Sequence, residues 1–445
     1  MVLWREEYRK RIISAGEAVK VVKSGDKVAF TTGREPACLG LALAARKDEL
    51  RDVEIFVRTP GVYFDWYDPG CEESFQVKVS FVHSVMREAM DEGRCDFRVS
   101  SLHPSYADEI PLGEDDGIDV LLTEVSPPDQ HGYCSFGASL WEKKEQIKRA
   151  KTVLAEVNSS LIRTYGDNFV HFSEIDHFVE SPESLWEFSP MDAYMMERRE
   201  ADPPEHVKRI AGHVSSLVRD GDTIQIGMGM TSQRLVTAGV FDGKKDLGFH
   251  SEIIPTGIVE LVRKGVFTGE RKTLHRGKAV MTGAGGRATD LAYINENPLF
   301  ELYSIHYVNS IRTIAAHDNM VAVNNALAVD LTGQVASESL GHRMWSGAGG
   351  QTAFAVGATQ SKGGRSIIVL PSVTEDGLIS RVVAAFEPGT IVTVPRSAVD
   401  YVVTEYGIAR LRGKSQRERA EQLVAIAHPD FRADLRRQAE RLFWP

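Results

Sequence analysis

Carboxylates, amides and glycines at the ends of apolar runs are the residues of this sequence that could do chemistry. Glu252 closes a short run containing Leu247 and Phe249 and sits in HSEIIPTGIVELV. A carboxylate at a strand end, ahead of a turn and a helix, is placed to face a cleft. The commoner role for such an acid is at a helix N-terminus, against the positive end of the dipole. Two glycine-rich loops are further candidates. Gly227, Met228, Gly229, Met230 and Thr231 follow a strand-like run and precede a helical one, so their amides could cradle a phosphate or a carbonyl oxygen. Ser346, Gly347, Gly349 and Gly350, within SGAGGQ, likewise precede the helical run TAFAVGATQS. A tight strand-to-helix turn explains either loop as simply. Asn309 after IHYV, Glu405 after YVVT, and Glu156 and Asn158 after TVLA are polar residues in apolar surroundings. Each reads as a buried hydrogen-bonded group or as a site residue.

Cofactor signatures are missing from this set. GxGxxG does not occur in its dinucleotide setting, and no acid other than Glu252 closes a strand at the right distance after Gly227. The thirteen histidines include no HExxH and no tight pair. The four cysteines, Cys38, Cys71, Cys95 and Cys134, form no CxxC and read as buried free thiols. No metal is expected.

The elements that must position these residues show an internal repeat. AVKVVKSGDKVAFTTG and HVSSLVRDGDTIQIGMG each read as a helix end, a Gly-Asp turn, a short strand and a glycine. Gly25-Asp26 matches Gly221-Asp222, and Gly33 matches Gly229, at one offset of 196. Each copy continues through a helical stretch to a second short strand, DVEIFVR from Asp52 and DLGFHSE from Asp246. So long a period indicates two related domains. Short β-rich runs alternate with helical ones in both halves, which predicts an α/β fold with mostly parallel sheets flanked by helices. Ser14 and Glu17 form a capping-box signal, and Pro203-Pro204 breaks the chain ahead of a new helix. The expected domains are 1–197 and 198–445. In such sheets ligands sit beyond the carboxyl ends of the strands, where Glu252 and both glycine loops fall.

Composition narrows the function classes. The net charge is −10 and the pI is near 5.8, with no basic stripe of the kind that marks nucleic-acid binding. No apolar run reaches the ~18–20 residues of a membrane helix. The N-terminal MVLWREEYRKRI lacks a secretion signal, so a cytoplasmic protein is expected.

Several long segments together resemble the acetyl-CoA hydrolase/CoA-transferase family, and most nearly its 4-hydroxybutyrate CoA-transferase-like members. They include EVSPPDQHGYCSFG, AEVNSSLIRTYGDNFVHFSEID, QIGMG, KKDLGFHSEIIPTGIVELV, NNALAVDLTGQV, SGAGGQ, DYVVTEYGIARLRGKSQRERA and IAHPDFR. The resemblance implies two tandem CoA-transferase-type domains. It places the nucleophilic glutamate on Glu252 and the active-site asparagine and second glutamate on Asn309 and Glu405. The coenzyme A loops fall on Gly227 to Thr231 and on Ser346 to Gly350, with Gly350 the backbone donor to the thioester oxygen. It further implies a homodimer with no permanently bound cofactor, using short-chain acyl-CoA and a short-chain carboxylate as substrates.

The chain departs from the family pattern at Ala353, where an aspartate is usual. It departs again at Glu375-Asp376, where a lysine is common, and at GMGM in place of GIGG. Arg271, Lys272, Arg276, Arg410, Arg412 and Lys414 are candidates for the coenzyme A phosphates. A hydrolase using the same intermediate is the neighbouring alternative. A sugar-phosphate isomerase or a ligand-sensor domain is the distant one.

Overall fold

The computed structural model describes residues 3–99, 102, 117–182 and 202–444. It divides into two compact units. Met1–Ser100, Pro104–Ala193 and Leu291–His306 make the first; Ser101–His103, Tyr194–Asp290 and Tyr307–Pro445 make the second. The expected boundary near residue 198 lies outside the described residues. Leu291–His306 joins the first unit because its strand Phe300–Leu302 pairs in parallel with Tyr165–Gly166. The Asp167 N–H donates to the Leu302 carbonyl at 2.8 Å, and Ile305 N–H to the Trp141 carbonyl at 3.0 Å.

The first unit is built on β1 (Lys27–Phe30), β2 (Val53–Val57), β3 (Phe75–Val79), β4 (Cys95–Phe97), β5 (Ile118–Val125), β6 (Ala150–Val157) and β7 (His177–Glu180). Their order is β7-β6-β5-β1-β2-β3-β4, every neighbouring pair parallel. β5 is buried from Val120 to Val125, the near-continuous apolar run of a strand covered on both faces.

In the second unit the strands are β8 (Thr223–Ile226), β9 (Gly248–His250), β10 (Ala279–Met281), β11 (Met320–Asn325), β12 (Arg365–Val369), β13 (Tyr401–Thr404) and β14 (Gly407–Arg410). They run in the order β14-β13-β12-β11-β8-β9-β10. Only the β13–β14 pair among these is antiparallel. Helix α1 (Glu205–Leu217) starts behind Pro204 and buries Val207, Ile210, Ala211 and Val214, a stripe at helical spacing. Among the described residues no helix is long and apolar enough to cross a membrane.

The repeat read from the sequence appears as one turn built twice. Asp26 accepts the Lys23 N–H at 2.8 Å, and Asp222 accepts the Arg219 N–H at 2.6 Å. Gly25 and Gly221 take φ of 82° and 80°, left-handed values that glycine adopts without cost. Their N–H groups donate to the carbonyls of Arg51 and Lys245, both at 3.0 Å. Asp52 and Asp246 then take φ of 55° and 54° ahead of β2 and β9. The later glycines differ. Gly33 is left-handed at φ 101°, whereas Gly229 has an ordinary φ of −69°. Gly229 is small for space: a Cβ there would lie 2.3 Å from Asn325 Cβ.

Candidate active site

In each sheet the first strand lies between one neighbour of each winding direction, β2 and β5 around β1, β9 and β11 around β8. The second unit's candidates gather at the carboxyl ends of β8, β9 and β11. Just behind that edge the Gln225 and Asn324 amides exchange two hydrogen bonds, at 3.0 and 3.1 Å, joining the central strands. A Cβ on Gly227 would stand 2.5 Å from Asn324 Oδ1. The Gly227–Thr231 loop is therefore glycine-rich at its start because it crosses bulky strand ends.

Its conformation is pinned from within. The Ser232 hydroxyl donates to the Gly227 and Gly229 carbonyls at 2.8 and 3.1 Å, and Gln233 Nε2 donates to the Met228 carbonyl. Helix α2 (Met230–Thr237) follows with Gly229 as N-cap. Met230 is half-buried and Thr231 buried on its first turn.

Glu252 follows β9 by two residues. The Ser251 N–H donates to the Val280 carbonyl at 3.1 Å, and the Glu252 carbonyl accepts from Thr282 and Gly283 N–H at 3.0 and 3.1 Å. The main chain is thus held on both sides of a half-buried carboxylate. The Ser251 hydroxyl reaches the Ile226 carbonyl at 3.3 Å, tying this segment to the start of the first glycine loop.

Asn309 is fully buried, and its Nδ2 donates to Glu252 Oε2 at 2.7 Å. The same nitrogen donates to the Leu102 carbonyl, and the Leu102 N–H donates to the Gly349 carbonyl at 3.1 Å. Asn309 follows a short helix, Ile305–Val308. Four residues carry too little periodicity to separate helix from strand. Here the Ser304 hydroxyl accepts the His306 N–H at 3.2 Å, which favours the helical turn.

The second glycine loop closes on the same carboxylate. Gly349 takes φ 57°, and Gly350 is the N-cap of α3 (Gln351–Gln360). A Cβ on Gly350 would lie 2.4 Å from Glu252 Oε2 and 2.4 Å from Asn309 Nδ2. Only a glycine lets the main chain come this near. The first amides of a helix have no acceptor within it, and they carry the positive end of its dipole. Gln351 Nε2 donates to the Asn325 carbonyl at 2.9 Å, so both glycine loops rest on Asn325. At the loop's start the Ser346 N–H donates to the Glu338 carbonyl at 3.0 Å, and Gly347 is buried.

Glu252, Asn309 and Gly350 therefore meet directly, Gly349 joins them through Leu102, and Gly227–Thr231 joins through Asn325 and Ser251. Glu405 braces a different loop: its carboxylate accepts the Ser372 N–H at 3.0 Å and the Ser372 hydroxyl at 2.5 Å.

Among the basic candidates, Lys272 is buried with its ammonium on the Phe249 and Lys278 carbonyls, at 2.9 and 2.8 Å. Arg271 packs over Gly221, at the opposite end of β8 from the glycine loop. Arg276 pairs with Glu270 at 3.4 Å, Arg412 with Asp400 at 3.6 Å and Lys414 with Glu418 at 2.9 Å. Leu102 and Asn325 were not legible as site residues. A main-chain carbonyl leaves no mark on residue type, whereas the NN pair ending β11 was a usable signal.

The chain is also similar to known proteins over most of its length. Residues 2–190 match the acetyl-CoA hydrolase/transferase N-terminal domain, and residues 286–439 match the C-terminal domain. A 4-hydroxybutyrate coenzyme A transferase of Clostridium kluyveri is 39% identical, over 99% of this chain and 100% of its own. A succinyl-CoA:cyclohexane-1-carboxylate CoA transferase of Geobacter metallireducens is also 39% identical, over 99% and 97%. The crystal structure of RipA from Yersinia pestis superimposes with a TM-score of 0.88 at 32% identity, over 98% and 99% of the two chains.

Proposed function

Because the chain belongs to the acetyl-CoA hydrolase/transferase family, we propose that it moves coenzyme A between short-chain carboxylic acids through a thioester formed on Glu252. The observation that carries the reading is the contact of Glu252 Oε2 with the Asn309 amide, beside a Gly350 that has no room for a side chain.

Transfer between carboxylates nearly conserves thioester free energy, so neither ATP nor a redox group is needed. A Glu252 oxygen attacks the acyl-CoA carbonyl carbon, the C–S bond breaks, and an acyl-glutamyl anhydride and coenzyme A thiolate result. The thiolate attacks Glu252 Cδ, expels the first carboxylic acid as its anion and leaves a glutamyl thioester. The incoming carboxylate reverses both steps. This is covalent catalysis with ping-pong kinetics.

A carboxylate is a poor nucleophile in water, and removal from bulk solvent raises its reactivity. Asn309 Nδ2 is a neutral donor, so it orients the carboxylate without cancelling its charge. At the tetrahedral stage the same N–H, with the backbone N–H of Gly350, would stabilise the oxyanion. Ser346 to Gly350 and Gly227 to Thr231 would line the coenzyme A path. Glu405 would act through the loop it braces at Ser372.

The test is to mix the enzyme with a short-chain acyl-CoA, add borohydride or hydroxylamine, and map the modified peptide. The expected result is modification at Glu252 and loss of transfer in Glu252→Ala with folding retained. Wild-type transfer by Glu252→Ala would defeat the proposal. Release of free coenzyme A with no new acyl-CoA in the presence of a second acid would reassign the chain to hydrolysis.

A further inference from the structure

One buried ring lies against both segments that carry the groups framing Glu252. His250 lies two residues before Glu252 and is completely buried. Its Nε2 is 2.8 Å from the Val308 carbonyl, in the peptide unit that leads into Asn309. A carbonyl only accepts, so Nε2 carries the hydrogen. The other face of the contact is aromatic. The His250 ring is 6.3 Å between centroids from Phe354, on the first turn of α3 behind Gly350, and 4.5 Å from the fully buried His317.

We propose that His250 is a positioning residue for the transfer reaction: its Nε2–H sets the Asn309 amide, and its ring seats the Gly350 helix against Glu252. This rests on the glutamyl reading above.

The neighbouring residues explain why a histidine serves here. A fixed donor is needed in a fully buried place, and a second charge beside the buried Lys272 would be costly there. Burial pulls the imidazole down to about 3, and the nearby Lys272 and His275 push in the same direction. His317, also buried, is held well below its ordinary value. His250 thus stays neutral, with one hydrogen at Nε2, throughout the working pH range. Its donor does not flicker with pH, unlike that of an exposed histidine.

Three proteins test this side by side: His250→Phe, which keeps the ring volume and removes the donor, His250→Gln, which keeps an N–H, and Glu252→Ala. His250→Phe is expected to lose about 10- to 100-fold in kcat, the scale of a small misplacement of reacting groups, with KM for acyl-CoA changed less than about threefold. Single-turnover formation of the Glu252 adduct should slow by the same factor. His250→Gln should recover part of the loss.

A folded His250→Phe with wild-type kcat, or a loss carried by KM or by the folded fraction alone, would overturn the inference. Activity in Glu252→Ala would instead defeat the glutamyl reading. An inactive Glu252→Ala beside a fully active His250→Phe would defeat this inference only. Nitrogen-15 spectra of the wild-type protein keep the question open to test even where variants fold poorly. Protonated Nε2 and bare Nδ1 from about pH 5.5 to 8 support the proposal. The opposite tautomer, or an imidazolium, refutes it.

Discussion

The carboxyl edges of the two sheets treat their glutamates differently. In the first unit Glu124, in β5, is buried with Arg34 Nε at 3.2 Å and Asn158 Nδ2 at 2.9 Å. Glu142 is buried with Arg58 Nε at 3.2 Å and the Thr32 hydroxyl. Lys143, fully buried, lies within the field of both acids. In the second unit Glu252 receives an uncharged amide and a bare glycine position. A guanidinium stabilises a carboxylate and blunts it, whereas an amide orients it. One scaffold, with the same Asp turn at the start of β1 and β8, thus carries buried ion pairs at one edge and an amide-held carboxylate at the other.

The comparison breaks first at the shared turn. Asp222 is buried and also pairs with the buried Arg365, whereas Asp26 is half-buried. Asp222→Ala should cost about 3–5 kcal/mol, since it strips a buried guanidinium of its partner. Urea unfolding measures it, and a cost near 1 kcal/mol would make the two turns energetically alike. Next comes Gly350→Ala. Its Cβ would press on Glu252 and Asn309, so kcat should fall by about 10²–10³, while the melting temperature stays within a few degrees. Unchanged kcat would show that the carboxylate need not sit where it does.

A smaller effect separates the first unit by pH. Burial pulls the Lys143 ammonium from 10.5 down to about 8, against the attraction of Glu124 and Glu142. Between those values the unfolded chain holds a proton that the folded one has released. The penalty is therefore complete below about pH 8 and fades as pH rises towards 10.5. The unfolding free energy of the wild type should gain on that of Lys143→Met across this window, in urea titrations at pH 7.5 and 10. The smallest effect is Asp26→Ala, expected at about 1 kcal/mol for one lost backbone-capping hydrogen bond, by the same unfolding assay.

Much of this was legible in the residues. Gly-Asp turns ahead of apolar runs announced β1 and β8, because the left-handed glycine and the capping aspartate act locally. Glu252, Asn309 and Gly350 were readable as a set only through the resemblance. Only Ser304 hints at the helix over IHYV, and nothing local to Gly350 reveals that its missing side chain leaves room for Glu252. The return of Leu291–His306 to the first unit was not readable either, since it rests on main-chain pairing with Tyr165–Gly166. Of the basic candidates, Lys272 meets carbonyls while Arg276, Arg412 and Lys414 meet carboxylates, which the sequence did not show. Charge marks a residue type, while the fold decides whether the charge meets a glutamate, a carbonyl or a ligand.

The peptide at Leu102 has a consequence for how such enzymes diverge. It grips Gly349 with its N–H and Asn309 with its C=O, both through atoms that every residue except proline possesses. Selection on that clasp therefore acts on where the backbone passes and hardly on which amino acid occupies the position. The buried Leu102 side chain answers to packing alone, so the clasp itself leaves no mark that a comparison of letters could find.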